Sequence, residues 1–153
     1  MIIIRKATLQ DMETLLEFEQ KLIAVERPFD STLKPGQIQY YDIEKMVTAD
    51  YIELLVAELD KEIIGSGYAR IENAQPYLQH TQHAYLGFMY IKPQHRGKGI
   101  NKMIMDALAA WSASENIKEL RLDVYHKNES AVKAYEKSGF EKHMLEMRKI
   151  IKK

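Results

Sequence analysis

The spacing of apolar residues along this chain changes repeatedly, and each change marks a new element. Ile2 to Lys6 has the β-branched density of a buried strand. Thr8 and Asp11 stand three residues apart, as in a capping box with Asp in place of the usual Glu or Gln. Behind them Met12, Leu15, Leu16, Leu22 and Ile23 fall on one helical face. Pro28 and then Pro35-Gly36 break the chain into a loop, and a short helix is expected around Tyr41 to Val47. Glu53 to Leu59 and Glu62 to Ile71 read as two strands about an Asp60-Lys61 turn. Asn73 to Thr81 is polar and contains Pro76, so it reads as a loop. His83 to Lys92 is a long strand rich in aromatics.

A proline turn and the run Gln94-His95-Arg96-Gly97-Lys98-Gly99 follow, opening a helix in which Ile100, Ile104, Leu108 and Trp111 recur at helical spacing. Leu120 to Tyr125 alternates apolar and polar residues as a strand does. Asn128 suits the N-cap of a helix through Ser138, and Gly139 sits where a left-handed C-cap belongs. Phe140 to Ile151 predicts one or two closing strands. The order β-α-α-β-β-β-α-β-α-β implies an α/β fold, a mixed sheet with helices on both faces. With no repeat, linker or low-complexity tract, residues 1–153 read as a single domain.

Composition narrows the chemistry mainly by exclusion. Lys+Arg and Asp+Glu are both 22, so no net field favours nucleic acid or an anionic membrane. The absence of cysteine excludes disulfides, thiolate catalysis and cysteine zinc sites. No apolar run reaches the roughly 18 residues that span a bilayer. Met1 to Lys6 is too short an apolar run for a secretory signal, which makes a cytoplasmic location the expectation. His80 and His83 have no third metal ligand near in sequence, so no metal site is expected. The 8 methionines read as core filler.

The glycine loop carries the positive signal. Backbone N–H groups at a helix start point outward with partial positive charge, and glycines let an anion reach them. Arg96 and Lys98 add charge beside the same spot, so the chemistry suggested is capture of a pyrophosphate. The spacing fits neither a P-loop, which needs G-x-x-x-x-G-K-[ST], nor a Rossmann fingerprint, whose third glycine is replaced by Lys102.

The full pattern instead resembles the GNAT superfamily of N-acetyltransferases, which use acetyl-CoA. Gln94-His95-Arg96-Gly97-Lys98-Gly99 satisfies that family's [Q/R]-x-x-G-x-[G/A] motif after a long strand ending near a proline. A second register starting at Arg96 keeps Gly99 but ends at Asn101. Leu122-Asp123-Val124, Asn128 and the run Ala134 to Phe140 resemble the family's second signature. The resemblance implies a GNAT-like, mostly antiparallel central sheet flanked by helices and splayed between strands 4 and 5. It implies acetyl-CoA as the acetyl donor, with no metal. Pantetheine would lie along Met89, Tyr90 and Ile91, and amides from Arg96 through Gly97, Lys98, Gly99 and Ile100 to Asn101 would take the pyrophosphate. Asn128 is positioned by the resemblance to bond the cofactor, although a plain N-cap explains it as well.

For transfer to an amine, Tyr135 matches the family's general-acid position. A core aromatic beside Val132 is the other reading of that residue. Asp123 matches the position where some members carry a catalytic Glu on the fifth strand. His83 and Tyr85 share one strand face and are competing candidates for the base, with ordered water a further one. The segment holding Glu26 and Asp30, with Tyr40 and Tyr41, lies where GNAT folds build the acceptor wall. Acids with aromatics there would suit a cationic amine, and an ordinary solvated loop remains open. The expected acceptor is a small-molecule or peptide amine. A homodimer is compatible with the chain, whose oligomeric state the sequence leaves open. The competing function is a CoA-binding sensor or interaction module without transfer activity.

Overall fold

The computed structural model describes residues 1–152, which form two compact units, one from Met1 to Asp123 and one from Val124 onward.

The first unit is built on a five-stranded sheet in the order β1-β2-β3-β4-β5. Its strands are β1 (Ile2–Lys6), β2 (Ile52–Leu59), β3 (Glu62–Asn73), β4 (Gln82–Ile91) and β5 (Leu120–Arg121). β1 to β4 pair antiparallel, and β5 lies parallel to β4. The β2–β3 turn is tight because Asp60 and Lys61 both take positive φ, 49° and 68°, the handedness a two-residue hairpin demands.

Helices α1 (Met12–Glu26) and α2 (Ile43–Thr48) contribute Leu15, Phe18, Ile43, Met46 and Val47 to a core with Leu54, Val56, Tyr68, Phe88 and Tyr90 of the sheet. Alternation along the strands sends Gly65 and Gly67 to the opposite face, where Ile104 of helix α3 (Ile100–Ser114) packs over them. Helices therefore cover both faces, as the order of elements predicts. The entry to α1 is fixed by charge as well as by period. Asp11 accepts the Thr8 backbone N–H at 2.8 Å and a two-pronged contact from Arg5 at 2.9 and 3.0 Å. The Arg5 guanidinium holds this carboxyl below the usual carboxylate range.

The second unit contains helix α4 (Glu129–Lys137), capped at its start by Asn128 and ended in a Schellman turn. In that turn Phe140 N–H donates to Tyr135 C=O at 3.1 Å and Gly139 N–H to Glu136 C=O at 3.1 Å, with Gly139 at φ 94°.

Two sequence expectations fail at this end of the chain. The strand expected over Leu120 to Tyr125 stops at Arg121, and no residue from Phe140 to Lys152 lies in a helix or strand. Leu120 to Tyr125 does alternate apolar and polar residues, but a strand exists only where a neighbouring edge completes its ladder. Among the described residues β5 pairs with β4 alone. No helix among the described residues is long and apolar enough to cross a membrane.

Candidate active site

β4 bends where the site begins. Its register against β3 shifts between Ser66 and Tyr68, so that Phe88 and Met89 together oppose Gly67. Phe88 takes φ 54°, a left-handed conformation that costs an L-residue on the order of 1–3 kcal/mol. Three contacts hold it there. The Phe88 ring is buried, its carbonyl accepts the buried Ser66 hydroxyl at 2.9 Å, and the Tyr41 ring lies 4.7 Å away, centroid to centroid. Gly67 suits the position opposite, because a Cβ there would stand 2.5 Å from Met89 Sδ and 2.9 Å from Ile104 Cγ2, and both side chains would have to shift. The bulge redirects β4 just where its parallel pairing to β5 ends. That ladder covers only Ala84–Leu120 and Tyr85–Arg121, so the β4 edge from Leu86 to Ile91 has no β5 beside it. This is the splay the resemblance implies, and it puts Met89, Tyr90 and Ile91 on the open stretch.

Beyond β4, Pro93–His95 makes one turn of 3-10 helix, and Gly97 and Gly99 take φ 76° and 79°. Gly99 is the N-cap of α3, and its carbonyl accepts Met103 N–H at 3.1 Å. The amides of Ile100, Asn101 and Lys102 thus start a helix without partners inside it. A Cβ on Gly97 or Gly99 would meet nothing within 4 Å, so the space over these amides is open to a ligand. That cradle fits a pyrophosphate. Arg96 does not simply extend into it, because its Nε donates to Ile91 C=O at 2.9 Å and its guanidinium lies 5.6 Å from the Tyr90 ring centre. Lys98 is exposed.

On the sheet face that carries α1 and α2, polar groups converge that the sequence does not place together. The β3–β4 register sets Arg70 opposite Tyr85 and Glu72 opposite His83. Arg70 bonds Glu72 at 2.6 and 2.9 Å and lies 5.6 and 5.4 Å from the Tyr68 and Tyr85 ring centres. His83 is buried, with Nε2 3.1 Å from Glu72 Oε1. Tyr85 donates its hydroxyl to Asp123 Oδ2 at 3.2 Å. Burial, with the Asp123 charge second, pushes the Tyr85 hydroxyl well above the ordinary tyrosine range. Tyr85 thus stands as a hydrogen-bond donor to Asp123. His83 faces Glu72, while Asp123 is the exposed carboxylate of the group. Tyr68, Arg70 and Glu72 alternate along β3, and only the register connects them to Tyr85 and His83.

The segment expected to form an acceptor wall is organised from below by Glu19. This fully buried carboxylate accepts the Tyr40 and Tyr41 backbone N–H groups at 2.9 and 2.7 Å. Sequence reading passes over Glu19 because it lies in a helix otherwise read for its apolar face. Tyr41 packs edge-on to Tyr40 at 5.7 Å and to Tyr68 at 5.9 Å, between the loop and the bulge. Burial raises the Glu26 carboxyl, partly offset by a hydrogen bond from Tyr40. Asp30 accepts the Thr32 backbone N–H at 2.9 Å and the Thr32 hydroxyl, closing its own turn.

In the second unit Asn128 Oδ1 accepts Ala131 N–H at 3.3 Å, so it serves as the N-cap. The side-chain NH2 is a separate pair of donors. Tyr135 is half-buried, its ring 6.0 Å from Phe140 across the Schellman turn. Among the described residues no three His, Asp or Glu side chains are grouped to hold a metal ion.

Comparison with known proteins agrees with this geometry. Residues 16–140 match the model of the Acetyltransferase (GNAT) family. An aminoglycoside N(6')-acetyltransferase type 1 of Stenotrophomonas maltophilia is 26% identical over 101 residues, covering 64% of this chain and 65% of the relative's length. Among solved structures, a mutant protein from Bacillus halodurans superposes with a TM-score of 0.88 at 19% identity, over 97% of this chain and 99% of that one. A predicted acetyltransferase from Clostridium acetobutylicum, crystallised with acetyl-CoA, gives 0.74 at 22% identity, over 97% and 96%.

Proposed function

The chain belongs to the GNAT acetyltransferase family, and from that premise we propose that it moves an acetyl group from acetyl-CoA to a primary amine by direct attack. The observation that carries the reading is the bulge at Phe88 beside an open β4 edge, with the left-handed Gly97-Lys98-Gly99 cradle at its end. Acetyl-CoA supplies the activated acyl group as a thioester, and the chain's residues bind, orient and move protons.

The amides of Met89 and Ile91 offer the strand edge along which a peptide-like pantetheine hydrogen bonds. An amide N–H at the bulge polarises the thioester carbonyl. The α3 amides from Ile100, with those of Gly97 and Gly99, hold the pyrophosphate, and Lys98 adds charge beside them. Asn128 contributes its side-chain NH2 to the cofactor. Asp123, oriented by the Tyr85 hydroxyl, takes the amine proton directly or through one water. His83 steadies Glu72 and through it Arg70. Tyr135 gives its proton to the departing thiolate, as the family motif assigns.

The acceptor is a small-molecule or peptide amine, bound against Tyr40 and Tyr41 with Glu26 as counter-charge, and Asp30 shapes the adjoining turn. The protein works in the cytoplasm. The test is release of free thiol from acetyl-CoA across a broad panel of amines. Release that depends on one amine class supports the enzyme. Acetyl-CoA binding with no amine-dependent release supports the silent CoA-binding module.

A further inference from the structure

Two arginines bracket Tyr85 across three strands. The register sets Arg70 of β3 and Arg121 of β5 on either side of it, their Cα atoms two strand spacings, roughly 10 Å, apart. Each is anchored by a carboxylate two residues away on its own side of the sheet, and each carboxylate is backed by a histidine. Glu72 Oε2 accepts Arg70 Nε and Nη2 at 2.9 and 2.6 Å, while Glu72 Oε1 lies 3.1 Å from His83 Nε2. Glu119 Oε1 accepts Arg121 Nε at 2.6 Å and lies 3.1 Å from His80 Nε2. The Tyr68 hydroxyl also draws on Arg70.

Both carboxylates take the Nε side, so Nη1 of Arg70 and both terminal nitrogens of Arg121 carry no carboxylate hydrogen bond. The two side chains are 38% and 39% exposed, so a ligand can reach them. Exposed ion pairs add little stability. What the anchoring does is fix two long side chains in advance, which lowers the entropy lost when each meets an anion. The Tyr68 and Tyr85 rings beside the Arg70 guanidinium leave its edge as the binding side, the geometry that suits carboxylate and phosphate. We propose that Arg70 and Arg121 together receive an anionic group on the acceptor, a carboxylate or a phosphate, so that the acceptor is an amine that also carries negative charge. The two ion pairs balance, and Asp123, bonded to Tyr85 between them, is left to meet the ammonium of the same molecule. Placing the amine at Asp123 rests on the acetyl-transfer reading, whereas the anion site is read by binding alone.

The test is calorimetric titration of CoA-saturated protein, in which the phosphate cradle is filled and no acetyl group can move. 6-Aminohexanoate is compared with hexylamine, and phosphoethanolamine with ethanolamine, so that the two pairs distinguish carboxylate from phosphate. In at least one pair the anionic member should bind about tenfold more tightly or better. Arg70→Met and Arg121→Met, on different strands, should each cancel most of that advantage, and Arg70→Lys, which keeps the charge and loses the fork, should restore part of it. Pairs whose members bind alike or not at all, or an advantage that survives in both methionine variants, would overturn the proposal. A parent that prefers the anionic amine and acetylates nothing would contradict acetyl transfer and leave the anion site standing.

Discussion

Asp123 is proposed as the base on the strength of its neighbours on the same face. Tyr85 is locked as a donor to it, and His83 is buried against Glu72. Asp123→Asn keeps the shape and a hydrogen bond from Tyr85 while removing the proton acceptor. Its acetyl-transfer rate should fall, most at low pH where the amine carries its proton, and pH–rate profiles of both proteins check this. A flat ratio near one across pH would return the role to water. Tyr135 makes a separate claim. Tyr135→Phe preserves the ring that packs on Phe140, so acetyl-CoA affinity should hold while turnover drops by about 10²–10⁴-fold, the usual worth of a general acid. Steady-state kinetics with a direct binding titration separate the two.

The bulge of β4 depends on Ser66, whose buried hydroxyl satisfies the carbonyl of the strained Phe88. Ser66→Ala leaves that carbonyl unpaired, and chemical denaturation should show a loss of about 1–3 kcal/mol, together with weaker acetyl-CoA binding. The start of α1 makes a prediction against pH. Asp11 is held below its ordinary range by Arg5 first, with the Thr8 amide assisting. Its contribution is therefore complete above the unfolded pKa of about 3.9 and is lost as pH falls through the lower folded value. Asp11→Asn should lower stability at neutral pH and flatten the acid limb of a melting-temperature profile. The order of strands and the glycine loop were legible in the sequence, because apolar period and the Gly97–Gly99 spacing are local signals. The cluster of Arg70, Glu72, His83 and Tyr85 was not, since it exists only through a β3–β4 register that a bulge shifts partway along. Glu19 was missed for a related reason. Its partners are the backbone amides of Tyr40 and Tyr41, which no pattern of residue types announces.

For the whole molecule the lesson is that a strand pattern and a strand are different things. Leu122 to Tyr125 continues an apolar–polar alternation, yet it is in no strand, and neither is Phe140 to Ile151 among the described residues. The proposed reaction is acetyl transfer to an amine at the open edge of β4. It is tested most directly by mass spectrometry of a pooled amine library incubated with acetyl-CoA and either the parent or Gly99→Glu, which drives a side chain and a negative charge into the phosphate cradle. At least one class of amine should gain an acetyl group with the parent and not with the variant. Equal acetylation by both proteins, or none by a parent that acetyl-CoA still stabilises against heat, would contradict it.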